Sequence, residues 1–128
     1  MRKEIRLEEL GPPISHYTDA VRFGDLLFIS GIVATDAGGN VVHKGDVAAQ
    51  ARKVFENMAM ILSSEGCGFA DVLKVTVFLR NIEHRALINP VRQEVFGDSR
   101  PASTLIEIAK LVHPDMLIEI EAVAGVPG

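Results

Sequence analysis

The fold of this chain is predicted mainly from its C-terminal region: RPASTLIEIAKL (100–111), VHPD (112–115) and MLIEIEAVA (116–124). The first and third segments are long apolar runs, dense in residues that favour β-strands. The middle segment holds Pro114 and an aspartate, which are typical of turns. The region is therefore predicted to form a β-hairpin.

Acidic residues interrupt both apolar runs. Glu107 lies inside the first run, and Glu119 and Glu121 lie two positions apart in the second. The last two side chains therefore share one face of the predicted strand. Because a buried carboxylate costs several kcal/mol unless it is paired, these glutamates indicate a site.

The composition is typical of one folded domain over residues 1–128 with an aliphatic core. Hydrophobic residues make up 48% of the chain, aromatic residues 5%, and there is no Trp. The formal charge is −4 and the basic residues are scattered, so the sequence gives no sign of nucleic-acid binding. The four histidines show no metal-binding spacing.

We expect a soluble, cytoplasmic protein. The single cysteine, Cys67, allows no internal disulfide and suits a reducing compartment. No apolar run approaches the ~20 residues of a membrane span. The charged start MRKEIRLEEL is unlike a signal peptide.

Three main strands are predicted upstream of the hairpin, at residues 18–23, 26–33 and 72–80, and two short ones at residues 4–7 and 41–43. The first two flank the dipeptide Gly24-Asp25, a two-residue turn signal. The third alternates apolar and polar residues, with Leu73, Val75, Val77 and Leu79 expected on one face.

Two helices are predicted between these strands. Apolar residues from Val47 to Leu62 recur at helical spacing, with Asp46 as the N-cap, Gly66 as the stop and Gln50 on the polar face.

A weaker helical segment covers residues 84–96. Pro90 lies inside it, which predicts either a kink or a fresh helix capped by Asn89.

These elements predict an α+β domain, with a mostly antiparallel sheet and two helices on one face. The strand at 26–33 is apolar on both sides, however. Its predicted faces are Leu26, Phe28 and Ile32 on one side and Leu27, Ile29 and Val33 on the other. Because two helices cover one face only, a homo-oligomer is expected to bury the second.

Five segments, in this order, resemble the YjgF/RidA (L-PSP) family over essentially the whole chain: ISHYTDAVRFGDLLFISG, GDVAAQARKVFENM, DVLKVTVFL, PASTLIEIAKL and LIEIEAVA. The resemblance implies a chorismate-mutase-like fold and a homotrimer, with the sheets forming a central barrel and with clefts between subunits. It also implies cofactor-free hydrolysis of enamines and imines derived from amino acids, which releases ammonia and a keto acid. In this family an Arg clamps the substrate carboxylate, and a Glu of the last strand handles the attacking water.

The same resemblance, residue by residue, implies cleft positions for Tyr17, Ser30, Gly31, Asn89 and Glu119. On that basis Glu119 is either the water-handling carboxylate or a structural carboxylate at the interface. Tyr17 either closes the cleft or is an ordinary tyrosine. Ser30-Gly31 lacks the pattern of a nucleophile elbow, so a backbone contribution is expected there.

One departure from the family pattern bears on function. The family's P-A-R-S motif carries the clamping Arg two residues after its Pro, where this chain has Ser103. Leu105 stands at a position that is often Cys, and Arg92 at one that is often Tyr. Either Arg92 or Arg100 replaces the clamp, with Arg92 better placed, or the ligand is a different molecule.

The sequence thus favours an enamine/imine deaminase-type hydrolase whose substrates differ from small imino acids. The alternative is a non-catalytic trimer that binds a small metabolite. A carboxylate is the expected ligand for both the hydrolase and the binding protein. A third possibility, an L-PSP-type endoribonuclease, is disfavoured by the acidic charge.

Overall fold

The computed structural model describes residues 1–128 and contains one six-stranded mixed sheet with two α-helices. The elements in chain order are β1 (Arg2–Ile5), β2 (Ala20–Phe23), β3 (Leu26–Val33), α1 (Val47–Ser64), β4 (Val72–Leu79), α2 (Arg85–Phe96), β5 (Ala102–Glu107) and β6 (Ile118–Gly125). The order across the sheet is β1-β2-β3-β6-β4-β5. No helix combines the length and the apolar character that crossing a bilayer requires. The predicted α+β fold with two helices is confirmed.

The predicted C-terminal hairpin is wrong. Strand β5 pairs with β4 in parallel, and β6 lies between β3 and β4 with both pairings antiparallel. Helix α2 connects β4 to β5 and returns the chain to the end of the sheet where β4 began, which is the crossover that a parallel pair needs. Residues 108–117 then carry the chain across to the centre of the sheet, a length far beyond that of a hairpin turn.

Helix α1 has the predicted bounds and termini. The Asp46 carboxylate accepts a hydrogen bond from the backbone N–H of Ala49 at 3.0 Å, which caps the first turn. Gly66 follows the helix with a positive φ of 74°, a conformation that favours glycine. The apolar stripe from Val47 to Leu62 is buried against the sheet.

Gln50 is fully buried, so its predicted place on the polar face of α1 is wrong. Its amide nitrogen donates to the carbonyl oxygens of Asp115, at 2.9 Å, and Val42, at 3.2 Å. Its amide oxygen accepts from the backbone N–H of Leu117 at 2.9 Å. One side chain thereby fixes the loop before α1 and the loop that leads into β6, because buried backbone groups need partners.

Helix α2 runs unbroken from Arg85 to Phe96, so the predicted fresh helix capped by Asn89 is wrong. Pro90 sits inside the helix on its exposed side. The proline has no N–H to pair with the carbonyl of Ala86, but Ala86 is exposed and water reaches that group. Ile88 and Val91 bury the opposite side of the helix and hold it on the domain.

Two β-bulges shift residues from their predicted faces. The register of β3 against β6 jumps from Ile29–Ala122 to Ile32–Ile120, which leaves one extra residue on β3. Ile32 therefore turns into the core, although simple alternation placed it with Phe28 on the opposite face.

A second shift follows Val72 in β4 and has the reverse effect. Leu73, expected in the core with Val75, is instead 52% exposed.

The sheet face opposite the helices carries, besides Glu119 and Glu121, several large apolar side chains that no element of the chain covers. Its large exposed side chains are Phe23, Leu26, Phe28, Leu73 and Ile106. Contiguous exposed apolar surface of this kind marks an interface.

Replacement of Gln50 by leucine is expected to lower the free energy of unfolding by about 3 kcal/mol. The apolar side chain would leave the buried backbone groups at residues 42, 115 and 117 without partners, at ~1–3 kcal/mol each before relaxation. Urea unfolding at fixed protein concentration measures the effect. Glu56→Leu, at an exposed position of the same helix, is the control and should change stability by less than about 0.5 kcal/mol.

Candidate functional site

A pocket of about 300 Å³ surrounds the carboxylate of Glu119. It opens where the loop before β2 meets the bulge of β3 and the start of β6. Its lining residues are Ile14, Ser15, Tyr17, Ser30, Gly31, Val33, Val112, Met116 and Glu119. We call this cavity the Glu119 pocket; it brings together four of the residues predicted from sequence, namely Tyr17, Ser30, Gly31 and Glu119.

Gly31 allows Glu119 to lie directly against the backbone of β3. A Cβ atom at residue 31 would stand 2.7 Å from the Glu119 Cδ atom and 2.8 Å from Oε2. That is closer than real Cβ contacts come, so any larger residue would push the carboxylate out of place. The bulge at this point of β3 removes one residue from regular pairing and aims the site outward.

The Glu119 carboxyl is half-buried and has neither a cation nor a hydrogen-bond donor to stabilise its charge. Burial raises the pKa of Glu119 above its ordinary value, and the negative charge of Glu121 on the same strand face raises it further. A carboxyl shifted in this direction exchanges a proton closer to neutral pH, as a general acid or base must.

Ser30 is held by the backbone and has no base beside it. Its hydroxyl donates to the carbonyl oxygen of Thr18 at 2.6 Å, and its N–H donates to the carbonyl oxygen of Asp19 at 3.0 Å. Asp19 is itself buried and paired with Arg6 at 2.7 Å. These contacts fix the segment that carries Tyr17, whose side chain is 48% exposed at the mouth of the pocket.

Five further pocket residues were not predicted as site residues: Ile14, Ser15, Val33, Val112 and Met116. Ile14 and Val112 are 66% and 75% exposed, and they form an apolar rim with Tyr17. They come from loops, where no periodicity reveals which way a side chain faces. Ile14 begins the family segment ISHYTDAVRFGDLLFISG, which is the sequence signal that could have pointed to it.

A second cavity, of about 340 Å³, lies between α2 and the start of β5. It is lined by Asn89, Arg92, Gln93, Phe96, Gly97, Arg100 and Pro101. We call it the Arg92 pocket. It contains both arginines that the sequence offered as replacements for the missing clamp, together with the predicted Asn89.

Arg92 reaches Ser103, the residue predicted from the resemblance to stand in the place of the family arginine. Its Nη2 atom donates to the Ser103 hydroxyl at 2.7 Å. The guanidinium is half-buried with no carboxylate partner, and burial lowers the pKa of Arg92 below its ordinary value. Leu105 packs against the core and lines neither pocket.

The two pockets are separate within one chain. Glu119 of β6 pairs with Phe78 of β4, and Phe78 pairs with Ile106 of β5. Neighbouring strands lie about 4.8 Å apart, so the β6 and β5 backbones are roughly 10 Å apart. Glu119 also faces away from the helices, whereas Ser103 shares the helix-facing side of the sheet with Val75. A single chain therefore does not assemble all the predicted residues into one cleft.

This sheet order, with the Glu119 carboxylate of β6 lying against the bulge of β3, is that of an α+β domain of the chorismate-mutase-like class. The family model described as Endoribonuclease L-PSP matches residues 8–126. The chain belongs to this family, to which the names YjgF and RidA also apply, and the resemblance seen in the sequence is confirmed.

Individual relatives agree over nearly the full length. A RutC family protein of Pyrococcus horikoshii is 40% identical, over 97% of this chain and 98% of that protein. The 3-aminoacrylate deaminase RutC of Acinetobacter baylyi is 42% identical, over 98% of this chain and all of that protein. The crystal structure of the Escherichia coli YjgF gene product superposes with a TM-score of 0.88 at 32% identity, covering 98% and 99% of the two chains. The family thus includes an enamine deaminase.

The raised pKa of Glu119 predicts how its removal affects stability. The folded state holds the Glu119 proton more tightly than the unfolded state does, so this contribution to stability is complete below the unfolded pKa of about 4.3 and is lost as pH rises through the folded pKa. Glu119→Gln should therefore be more stable than the parent at pH 7, and the difference should shrink towards pH 4.5. Urea unfolding at both pH values measures it, with the exposed Glu56→Gln as control.

The same experiment separates a functional carboxylate from a structural one. If Glu119→Gln is less stable than the parent at pH 7, the carboxylate holds the structure together and the site interpretation is wrong.

The neighbouring carboxylate gives a second test. Glu121→Gln should lower the pKa of Glu119, as followed by carboxyl NMR titration, because the neighbouring negative charge is gone.

Proposed function

We propose that this protein is a cofactor-free hydrolase of enamines and imines derived from amino acids. The observation that carries the proposal is the Glu119 carboxyl, unpaired and half-buried in a pocket, with a raised pKa. Water adds to the carbon of the protonated imine, and the resulting carbinolamine loses ammonia to leave a keto acid. An enamine substrate first takes a proton on carbon to become the imine.

Glu119 supplies the proton transfers that this reaction needs. As the carboxylate it accepts a proton from the attacking water, and as the acid it returns that proton to the departing amine. A pKa nearer to neutrality suits both roles because each protonation state is then accessible. Gly31 keeps the carboxylate against the strand, and the apolar rim of Ile14 and Val112 limits the access of bulk water.

Arg92 is the proposed anchor for the substrate carboxylate. Its hydrogen bond to Ser103 supports this role, because the resemblance predicts the family clamp at the position of Ser103. An arginine–carboxylate pair is charge-assisted and bidentate, which fixes the orientation of the substrate. Since the cation now projects from α2 and not from β5, we propose that the substrate scope differs from that of relatives acting on small imino acids.

The two pockets are proposed to meet between subunits of a homotrimer. The uncovered apolar sheet face supports this assembly, because it needs a partner of the same character. A cleft between copies would join the Glu119 pocket of one subunit to the Arg92 pocket of the next. In this arrangement catalysis and binding depend on association.

The deaminase proposal is tested by ammonia release from a panel of imines generated in situ by amino-acid oxidases. The parent should accelerate at least one imine over its spontaneous hydrolysis, and Glu119→Gln should lose roughly 100-fold or more, as for loss of a general acid–base. Gly31→Ala should fold normally but lose a similar factor, since the clash falls on the flexible Glu119 side chain. Gly68→Ala, where an added Cβ meets nothing within 4 Å, is the matched control.

Two results would contradict the proposal. If no imine in the panel reacts faster than in buffer, the chain is not a deaminase, and the binding-only alternative is preferred. If Glu119→Gln keeps full activity, another residue handles the water.

The trimer is tested by sedimentation equilibrium at micromolar concentration, where we expect three times the 13.9 kDa chain mass. Phe28→Glu places a charge on the exposed sheet face and should dissociate the assembly into monomers. Leu87→Glu makes the same kind of change at a 56% exposed position of α2 and should leave the trimer intact. A monomeric parent would exclude the shared cleft.

A further inference from the structure

The arginines of this chain fall into two groups by their partners. Four of them lie within 4.0 Å of a carboxylate: Arg2, Arg6, Arg22 and Arg52. The other four, all between residues 80 and 100, form no ion pair: Arg80, Arg85, Arg92 and Arg100. Because these four arginines have no carboxylate partner within the chain, they are available to pair with an external anion.

Two of the unpaired arginines share the Arg92 pocket. No aspartate or glutamate lines that pocket, and Phe96 is its single large apolar residue. Asn89 and Gln93 add neutral amide groups beside the two guanidiniums. The pocket therefore carries two positive charges with nothing of the protein to neutralise them.

The hydrogen-bond donors in the pocket outnumber what one carboxylate can use. A guanidinium has five N–H donors. Arg92 donates one of them to Ser103, and Arg100 donates none to a protein acceptor. A single carboxylate has two oxygens and binds one guanidinium bidentately. A ligand with one carboxylate would thus leave the second cation unpaired beside the first.

We propose that the Arg92 pocket binds two carboxylates of one substrate, and that the preferred substrates are enamines or imines of dicarboxylic amino acids. Arg92 takes the carboxylate next to the reacting carbon, and Arg100 takes the carboxylate at the end of the side chain. The inference rests on the proposed deaminase function and adds its substrate class. It also explains why neither arginine has a carboxylate partner within the chain.

Two four-carbon substrates test the proposal because they differ only in the second carboxylate. Iminosuccinate is generated in situ from aspartate, 2-iminobutanoate is generated from 2-aminobutanoate, and the keto acid released from each is measured. The parent should have a kcat/KM at least roughly 10-fold higher for iminosuccinate, as expected for one added charged hydrogen-bonding pair.

The arginine variants assign the two carboxylates. Arg100→Gln should raise KM for iminosuccinate roughly 10- to 100-fold and leave KM for 2-iminobutanoate within about twofold. Arg92→Gln should raise KM for both substrates. Arg52→Gln removes the same charge from an exposed ion pair on α1 and should change neither.

If the parent prefers 2-iminobutanoate, or if Arg100→Gln affects both substrates equally, the dicarboxylate assignment is wrong while the deaminase function stands. If neither imine is hydrolysed, the deaminase function fails, and calorimetry with succinate, butyrate and inorganic phosphate still tests the pocket. Succinate binding that is tighter than butyrate binding and is lost in Arg100→Gln would support the dicarboxylate site. Equal binding of succinate and butyrate, or phosphate binding as tight as succinate, would overturn it.

Discussion

The position of β6 between β3 and β4 is the constraint on which the rest of this structure depends. A central strand has its backbone paired along both edges, so its register is fixed twice over. Gln50 fixes the entry to this strand by binding the backbone at Asp115 and Leu117. Glu119, two residues further on, therefore projects from one of the most constrained parts of the molecule. A carboxylate whose position matters to chemistry benefits from such a support.

The position in which Glu119 is packed lowers the stability of the folded protein. The glycine of the β3 bulge lets the carboxylate lie against backbone, in a position where its charge is poorly solvated. Nothing in the chain offers it a cation, whereas Asp19, whose backbone carbonyl accepts from the N–H of Ser30 at the same pocket, is paired with Arg6. A charge that is left unpaired at a cost in folding free energy is characteristic of functional sites.

In the binding half of the proposed site, the main feature is the element from which the cation comes. Arg92 reaches Ser103 of β5 from the helix. If Ser103 stands where the family carries its clamp, as the resemblance predicts, a cation is retained while the element that supplies it has changed. A guanidinium approaching from α2 presents its donors from another direction than one rooted on β5. Arg100 adds a second charge to the same pocket. We therefore expect the Arg92 pocket to select substrates by size and charge, whereas the proton transfers take place in the Glu119 pocket.

The sequence by itself determined the features that rest on local patterns. The bounds and caps of α1, the turn at Gly24-Asp25 and the ordered segments of the family all follow from spacing and from individual residue preferences. Only the tertiary structure decided which strands pair, because an apolar run of β-formers fits a hairpin and a parallel edge equally well, and the choice depends on where α2 delivers the chain. The burial of Gln50, the turning of Ile32 into the core and the division of the site residues between two pockets have the same origin. They depend on contacts between residues distant in sequence, which periodicity along the chain does not encode.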